Sequence, residues 1–296
     1  MRRVAFCFPA LCVFPLLVAG ATLADTITHG GTTIEMEFVT VGNPGNANDS
    51  TGFGAVDYAY RIGKHEVTER QWTAVVAANG TDLLDDPGYW SGDQPVAHIS
   101  WHEAAMFCNW LTSGDVTAGA YTLTGDKVTA IDRVAAVTQH GTVYVLPTES
   151  EWHKAAYYDP GKIGYWKYPT VSDSVPDGID FDGDTAFGAV FQDGHDQGHP
   201  NTVDRTGPPS VYGTTGQAGN VWEWSEVGTF GGTRGYRGGS FQGTWHFLEA
   251  SYGSAFDNPG DEYTTRGFRV ASIPEPGSIT LLLCGALSLV MFRRRR

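Results

Sequence analysis

The chain has 296 residues, 41% of them hydrophobic, with 38 glycines, 15 prolines and a formal net charge of −14. That length suffices for one large domain or two small ones. So acidic a chain repels phosphate backbones, which argues against nucleic acid as a partner and suits an exported protein that stays soluble or holds divalent cations.

The first 24 residues read as a secretory signal peptide. Arg2 and Arg3 precede an apolar run over residues 4–18, and small residues follow, with cleavage expected after Ala21 or Ala24. The apolar run is too short for a membrane-spanning helix of about 20 residues. Six of the 19 basic residues lie in the two ends of the chain, against one of the 33 acidic ones, so the body is more acidic still. Cys7, Cys12 and Cys284 also lie in the ends. Cys108 is the one cysteine left in the body, so no internal disulfide is expected.

Residues 26–41 alternate apolar and polar side chains as a strand does. A Gly/Asn/Pro loop follows over residues 42–54, then a second strand near residues 58–62. Thr68 with Gln71, Ser100 with Glu103, and Thr148 with Glu151 each have capping-box spacing and predict three short helices. The first ends at Asn79-Gly80 with Trp72, Val75 and Val76 on one face. The second carries Ala104, Ala105, Phe107, Cys108 and Leu111 inward and closes at Gly114. Cys108 there reads as a small core residue. A strand over residues 143–146 leads into the third helix, where Trp152, Ala155 and Ala156 face inward. These helices do not recur at a fixed period.

Residues 157–216 are rich in loops and in aspartates, including Asp177, Asp180, Asp182, Asp184, Asp193 and Asp196. The run from Asp180 starts like an EF-hand loop but has Phe191 where the twelfth-position glutamate belongs, leaving a looser Ca²⁺ site or solvated acids. His98 and His102, like His195 and His199, are four apart but lack a third ligand, so neither pair is expected to bind metal.

The stretch Gly219-Asn220-Val221-Trp222-Glu223-Trp224 places a carboxylate between two tryptophans. A carboxylate so held needs a partner: a cation such as Ca²⁺, or a set of backbone N–H donors. Residues 237–241 and 265–270 look like strands. Short strands, short helices and long loops together give an α+β class. The tail, Pro274-Glu275-Pro276, then an apolar run and four terminal arginines, resembles the PEP-CTERM sorting signal of Gram-negative bacteria. That resemblance implies recognition and trimming by an exosortase-type machinery over residues 274–296, and delivery to the cell surface or extracellular matrix. A plain membrane anchor is the alternative.

Seven stretches of residues 25–272 stand in an order that resembles the formylglycine-generating enzyme family, also called the sulfatase-modifying-factor domain. They are residues 62–68, Pro95-Val96-Ala97-His98-Ile99-Ser100-Trp101, Cys108-Asn109-Trp110-Leu111, residues 146–152, residues 219–224, Arg237-Gly238-Gly239-Ser240-Phe241 and Gly267-Phe268-Arg269-Val270. The resemblance implies a fold related to C-type lectins. It also implies two cysteines that bind copper and convert a sulfatase cysteine to formylglycine. Their positions here hold Gly243 and Leu248, so copper chemistry is not expected. It further implies structural Ca²⁺ on the carbonyls of Gly219 and Val221 and the carboxylate of Glu223. The family's Asn or Asp three residues earlier is Gly216 here. The expected role is a non-catalytic module that binds a glycan or extracellular polymer in a cleft near Trp224, Arg237, Ser240, Trp245 and His246. An oxidising or protein-modifying enzyme with a rebuilt site is the alternative.

Overall fold

A computed structural model describes residues 23–80, 82–178, 188–192, 198–228 and 232–273. Most of the signal-peptide stretch, the tail from residue 274, and Asp180, Asp182, Asp184, Asp193, His195 and Asp196 lie outside these residues.

The alternating run read as one strand is a hairpin, β1 (Leu23–His29) and β2 (Thr32–Val41), turning at Gly30 and Gly31, both at positive φ. Strand β3 (Tyr60–Gly63) leads to α1 (Glu69–Asn79), and α2 (Trp101–Ser113) follows. A hairpin, β4 (Tyr121–Thr124) and β5 (Lys127–Ile131), and helix α3 (Arg133–His140) were not foreseen. Then come β6 (Val143–Val145), α4 (Glu149–Tyr157), and the small hairpin β7 (Tyr158–Asp159) and β8 (Gly164–Tyr165). The chain finishes with β9 (Trp222–Gly228), β10 (Arg234–Arg237), β11 (Ala255–Asp257), β12 (Arg266–Phe268) and β13 (Ala271–Ile273).

All three capping boxes form. Each Thr or Ser hydroxyl accepts from the third helical amide, and the side chain there accepts from the capping residue's own N–H. Gly80 and Gly114 close α1 and α2 in the left-handed conformation that a residue without Cβ adopts at little cost. Residues 237–241 depart from the strand expected of them. Strand β10 stops at Arg237, because Gly238 and Gly239 take φ of 99° and 78°.

One sheet runs in the order β1-β2-β3-β13-β6 and a second in the order β11-β10-β9-β12. In the second sheet β12 and β9 are parallel. Ile34, Met36 and Phe38 on β2 pack with Trp72 of α1 and Phe107 of α2, while Val39 and Val41 pack with Ala155 of α4 and Tyr212. The buried face of β2 therefore switches between Phe38 and Val39, and its apolar–polar alternation shifts by one residue there, with Thr40 left exposed. No helix among the described residues is long and apolar enough to cross a membrane.

Helix α4 sits where both sheets meet, so its cap tests the fold locally. Thr148→Ala should lower stability by about 1 kcal/mol, the usual cost of losing an N-cap hydroxyl, read from urea unfolding.

Candidate functional site

The bend at residues 219–220 is imposed by close packing. Gly219 has a φ of 93°, and a Cβ there would run into the Val190 carbonyl. Asn220, also at positive φ, receives a hydrogen bond from the Asn201 amide at 2.8 Å and donates to Glu66 Oε1 at 3.0 Å. Val221 is wholly buried.

Glu223 is wholly buried too, and its partners differ from both expectations. Arg269 Nε and Nη2 donate to its two oxygens at 2.5 and 2.6 Å, and the Trp152 indole donates to Oε2 at 2.7 Å. A guanidinium and an indole hold the carboxylate, where Ca²⁺ or backbone N–H groups were the expected partners. Together they take three of its acceptor positions. The oxygen left over is Glu66 Oε2, which is buried and has no hydrogen-bond partner among the described residues. It occupies the room that a side chain at Gly216 would need. Burial, and then the nearby Glu223 charge, push the Glu66 carboxyl up to about 8.

The expected ligand cleft does not form from its five residues. Trp224, Arg237 and Ser240 are 0%, 1% and 2% exposed. Trp224 donates to the Ile99 carbonyl, and Arg237 is paired with Glu149. Trp245 and His246 do reach the surface, stacked with ring centroids 3.5 Å apart. At the two positions where the resemblance places cysteines, Leu248 is sealed in an apolar cluster with Tyr168, Phe191 and Ala218, and Gly243 lies against the Phe247 ring. Neither offers a soft donor, and Cys108 is buried in the core, so the residues present do not fit copper.

The histidine pairs part company. His98 stacks on Tyr89 and lies 3.3 Å from Glu262, while His102 accepts from the Val128 amide. Among the described residues no group of three or more His, Cys, Asp or Glu side chains is placed to hold a metal ion.

The larger opening lies elsewhere. A cleft of about 790 Å³ runs between the loop of residues 43–50 and the β7–β8 hairpin, with Asn48, Asp49, Tyr158, Trp166 and Lys167 in its lining. The loop is tied down from several sides. Asn46 Nδ2 donates to the Gly54 carbonyl and to the Tyr165 hydroxyl, each at 2.7 Å. A side chain at Gly54 would collide with Tyr165. Lys154, wholly buried on α4, donates to the Asn43 carbonyl at 2.9 Å, and burial brings its ammonium down to about 8.

Below the cleft, Asp49, His153, Arg237 and Glu149 form one buried chain. Arg237 can only donate, so His153 Nδ1 accepts from it at 3.1 Å and Nε2–H donates to Asp49 at 2.8 Å. Burial opposes the Asp49 charge, but the bonds from His153 and Thr51 outweigh it and hold the carboxyl well below its usual value. An Asp–His pair of this kind can serve a nucleophile. Here the imidazole's accepting nitrogen is already taken by a guanidinium, so it cannot accept a nucleophile's proton.

A sequence model of the sulfatase-modifying factor enzyme 1-like domain matches residues 54–273, and the chain belongs to that family. It is 27% identical over 157 residues to the chaperone protein LppX of Paenibacillus barcinonensis, covering 49% of this chain and 53% of that protein. It is 26% identical over 161 residues to a formylglycine-generating enzyme of Thermomonospora curvata, covering 52% and 40%. The chain thus spans about half the length of these relatives or less. Among solved structures, Treponema denticola variable protein 1 aligns with a TM-score of 0.55 at 23% identity, over 86% of this chain and 99% of that one. CarF aligns at 0.56 and 24%, over 80% and 97%. PvdO from Pseudomonas aeruginosa aligns at 0.52 and 17%, over 80% and 94%. These structures establish the α+β fold of the family.

Two predictions follow from the buried charges. Arg269→Ala leaves Glu223 uncompensated and should cost about 3–5 kcal/mol in urea unfolding. Between pH 4.5 and about 8 folded Glu66 keeps a proton that the unfolded chain has released, so its effect is to lower stability as pH rises. Glu66→Gln should therefore melt higher than the parent at pH 8 and close to it at pH 5, by thermal scanning at both.

Proposed function

We propose that this chain is a non-catalytic ligand-binding member of its family. What supports this reading is the packing at Gly243 and Leu248, the positions where the resemblance places copper-binding cysteines: Gly243 lies against the Phe247 ring, and Leu248 is sealed in an apolar cluster. The Asp49–His153 pair offers no second chemistry, because Arg237 occupies it.

The ligand is a glycan or extracellular polymer, and its seat is the cleft between residues 43–50 and the β7–β8 hairpin. Amide side chains on a tied-down loop, facing the rings of Tyr158, Tyr165 and Trp166, suit a polyhydroxylated ligand, with hydroxyls on the amides and sugar faces on the rings. Trp245 and His246 lie beside it, with the Lys167 ammonium 5.7 Å from the Trp245 ring, and extend the same surface. A binding role also agrees with the name of one relative, a chaperone. In this reading residues 1–24 export the chain, and the tail hands it to exosortase-type sorting at a Gram-negative surface.

Two measurements test the proposal. The full chain, given copper and a cysteine-bearing sulfatase peptide, should form no formylglycine by mass spectrometry, and turnover would refute the non-catalytic reading. On a glycan array it should bind, and Trp166→Ala should weaken that binding about tenfold, the scale of one aromatic contact. Unchanged binding by a folded Trp166→Ala chain moves the ligand out of this cleft.

A further inference from the structure

A smaller pocket of about 340 Å³ lies where residues 91–94 meet residues 199–205, and it shares no lining residue with the cleft. No carboxylate lines it, in a chain with 33 acidic residues against 19 basic ones. Hydrogen bonds between segments fix its frame. Gln94 Nε2 donates to the Pro200 carbonyl at 2.9 Å, the Asn201 amide to Asn220 Oδ1 at 2.8 Å, and the Val203 amide to the Asp93 carbonyl at 2.9 Å. Asn201 Nδ2 closes the turn onto the Arg205 carbonyl at 3.0 Å. His199 forms one wall, with Nδ1 at 3.0 Å from the Pro200 carbonyl. What the frame leaves over is a set of donors. The exposed Arg205 guanidinium makes no hydrogen bond or ion pair among the described residues, and neither do the hydroxyls of Ser91 and Thr202. Other surface cations behave differently: Lys64, Arg70, Lys162 and Lys167 each pair with a carboxylate. The nearby Asp93 carboxylate is taken by Arg70 at 3.0 and 3.4 Å, and Asp204, next to Arg205 in sequence, forms no ion pair with it.

We propose that this pocket binds an oxyanion of the sulfate or phosphate type, with the Arg205 guanidinium as counter-charge and the Ser91 and Thr202 hydroxyls as further donors. A guanidinium presents N–H groups in pairs that match two oxygens of one such anion, and its charge strengthens each bond. A metal cation would meet that guanidinium and find no carboxylate. The net negative charge of the chain opposes anions at long range, so the local donors have to supply the attraction. The oxyanion is either a free ion or the sulfate ester of a sugar. Because the pocket and the cleft have separate linings, this site does not depend on the ligand proposed for the cleft.

Titration calorimetry on the full chain at constant ionic strength decides this. Sodium sulfate, sodium phosphate and N-acetylgalactosamine 4-sulfate are the probes, with sodium chloride and N-acetylgalactosamine as controls. Saturable binding of sulfate or of the sulfated sugar is expected, and none of either control. Tighter binding of the sulfated sugar than of the inorganic ions assigns the ester, and equal or weaker binding assigns the free ion. Arg205→Gln should weaken binding about tenfold, the scale of hydrogen bonds to a charged group. Thr202→Val removes a donor at unchanged charge and should weaken it several-fold, which keeps the test open if Arg205→Gln misfolds. Lys127→Gln removes the same charge from the exposed β4–β5 hairpin and should change nothing. Absence of saturable binding at millimolar concentration, equal binding of a control, affinity indifferent to Arg205→Gln or to Thr202→Val, or an equal loss with Lys127→Gln would each overturn the proposal.

Discussion

The pairing of Arg269 with Glu223 is the contact on which the rest of the molecule depends. Both side chains are wholly removed from water, and such a pair repays its desolvation only when every donor is used. Arg269 meets that condition. Besides Glu223 it donates to the carbonyls of Gly63, Lys64 and Thr215, at 3.0, 3.2 and 2.8 Å. One guanidinium thereby ties the end of β3, the segment between β12 and β13, the 215 loop and β9 into one unit. The third donor to Glu223, the Trp152 indole, fixes α4 against the same point. Glu66 completes the geometry as a second buried carboxylate beside a single guanidinium. That imbalance, added to its burial, keeps a proton on Glu66.

The same use of arginine recurs across the interior. Arg133 is held by Glu151 and Glu226, and Arg237 by Glu149. Arg266 lies 3.9 Å from the Tyr236 ring and 4.5 Å from the rings of Trp224 and Tyr263, and Arg234 lies 4.0 Å from the Trp101 ring. Arginine suits these places because its flat, weakly hydrated charge stacks on rings and forks onto carboxylates. Arg234, Arg237, Arg266 and Arg269 are thereby withdrawn almost fully from the surface.

Local signals were legible where they depend on neighbours in sequence. The capping boxes at Thr68, Ser100 and Thr148 need only residues three apart, and all three formed. The inward faces of α1 and α2 followed from helical spacing, Cys108 among them. Signals that depend on distant residues were misread. Trp224, Arg237 and Ser240 looked like a binding surface because aromatic and charged residues often make one. Trp224 and Arg237 are buried because partners more than eighty residues away, Ile99 for Trp224 and Glu149 for Arg237, satisfy them. The cleft was hidden for the converse reason. The loop of residues 43–50 reads as a plain Gly/Asn/Pro linker until Tyr165, 119 residues on from Asn46, closes over it.

By itself the sequence determined the family, the α+β class, the starts of three helices and the absence of any cysteine between Cys108 and Cys284. Each of these is carried by residue identity at a position or by short periodic spacing. Only the tertiary structure decided what the charged groups do. The partner of Glu223, the proton on Glu66 and the walls of the cleft arise from contacts between segments far apart in the chain. Burial and the pairing of charges are properties of that three-dimensional neighbourhood, and no local pattern encodes them.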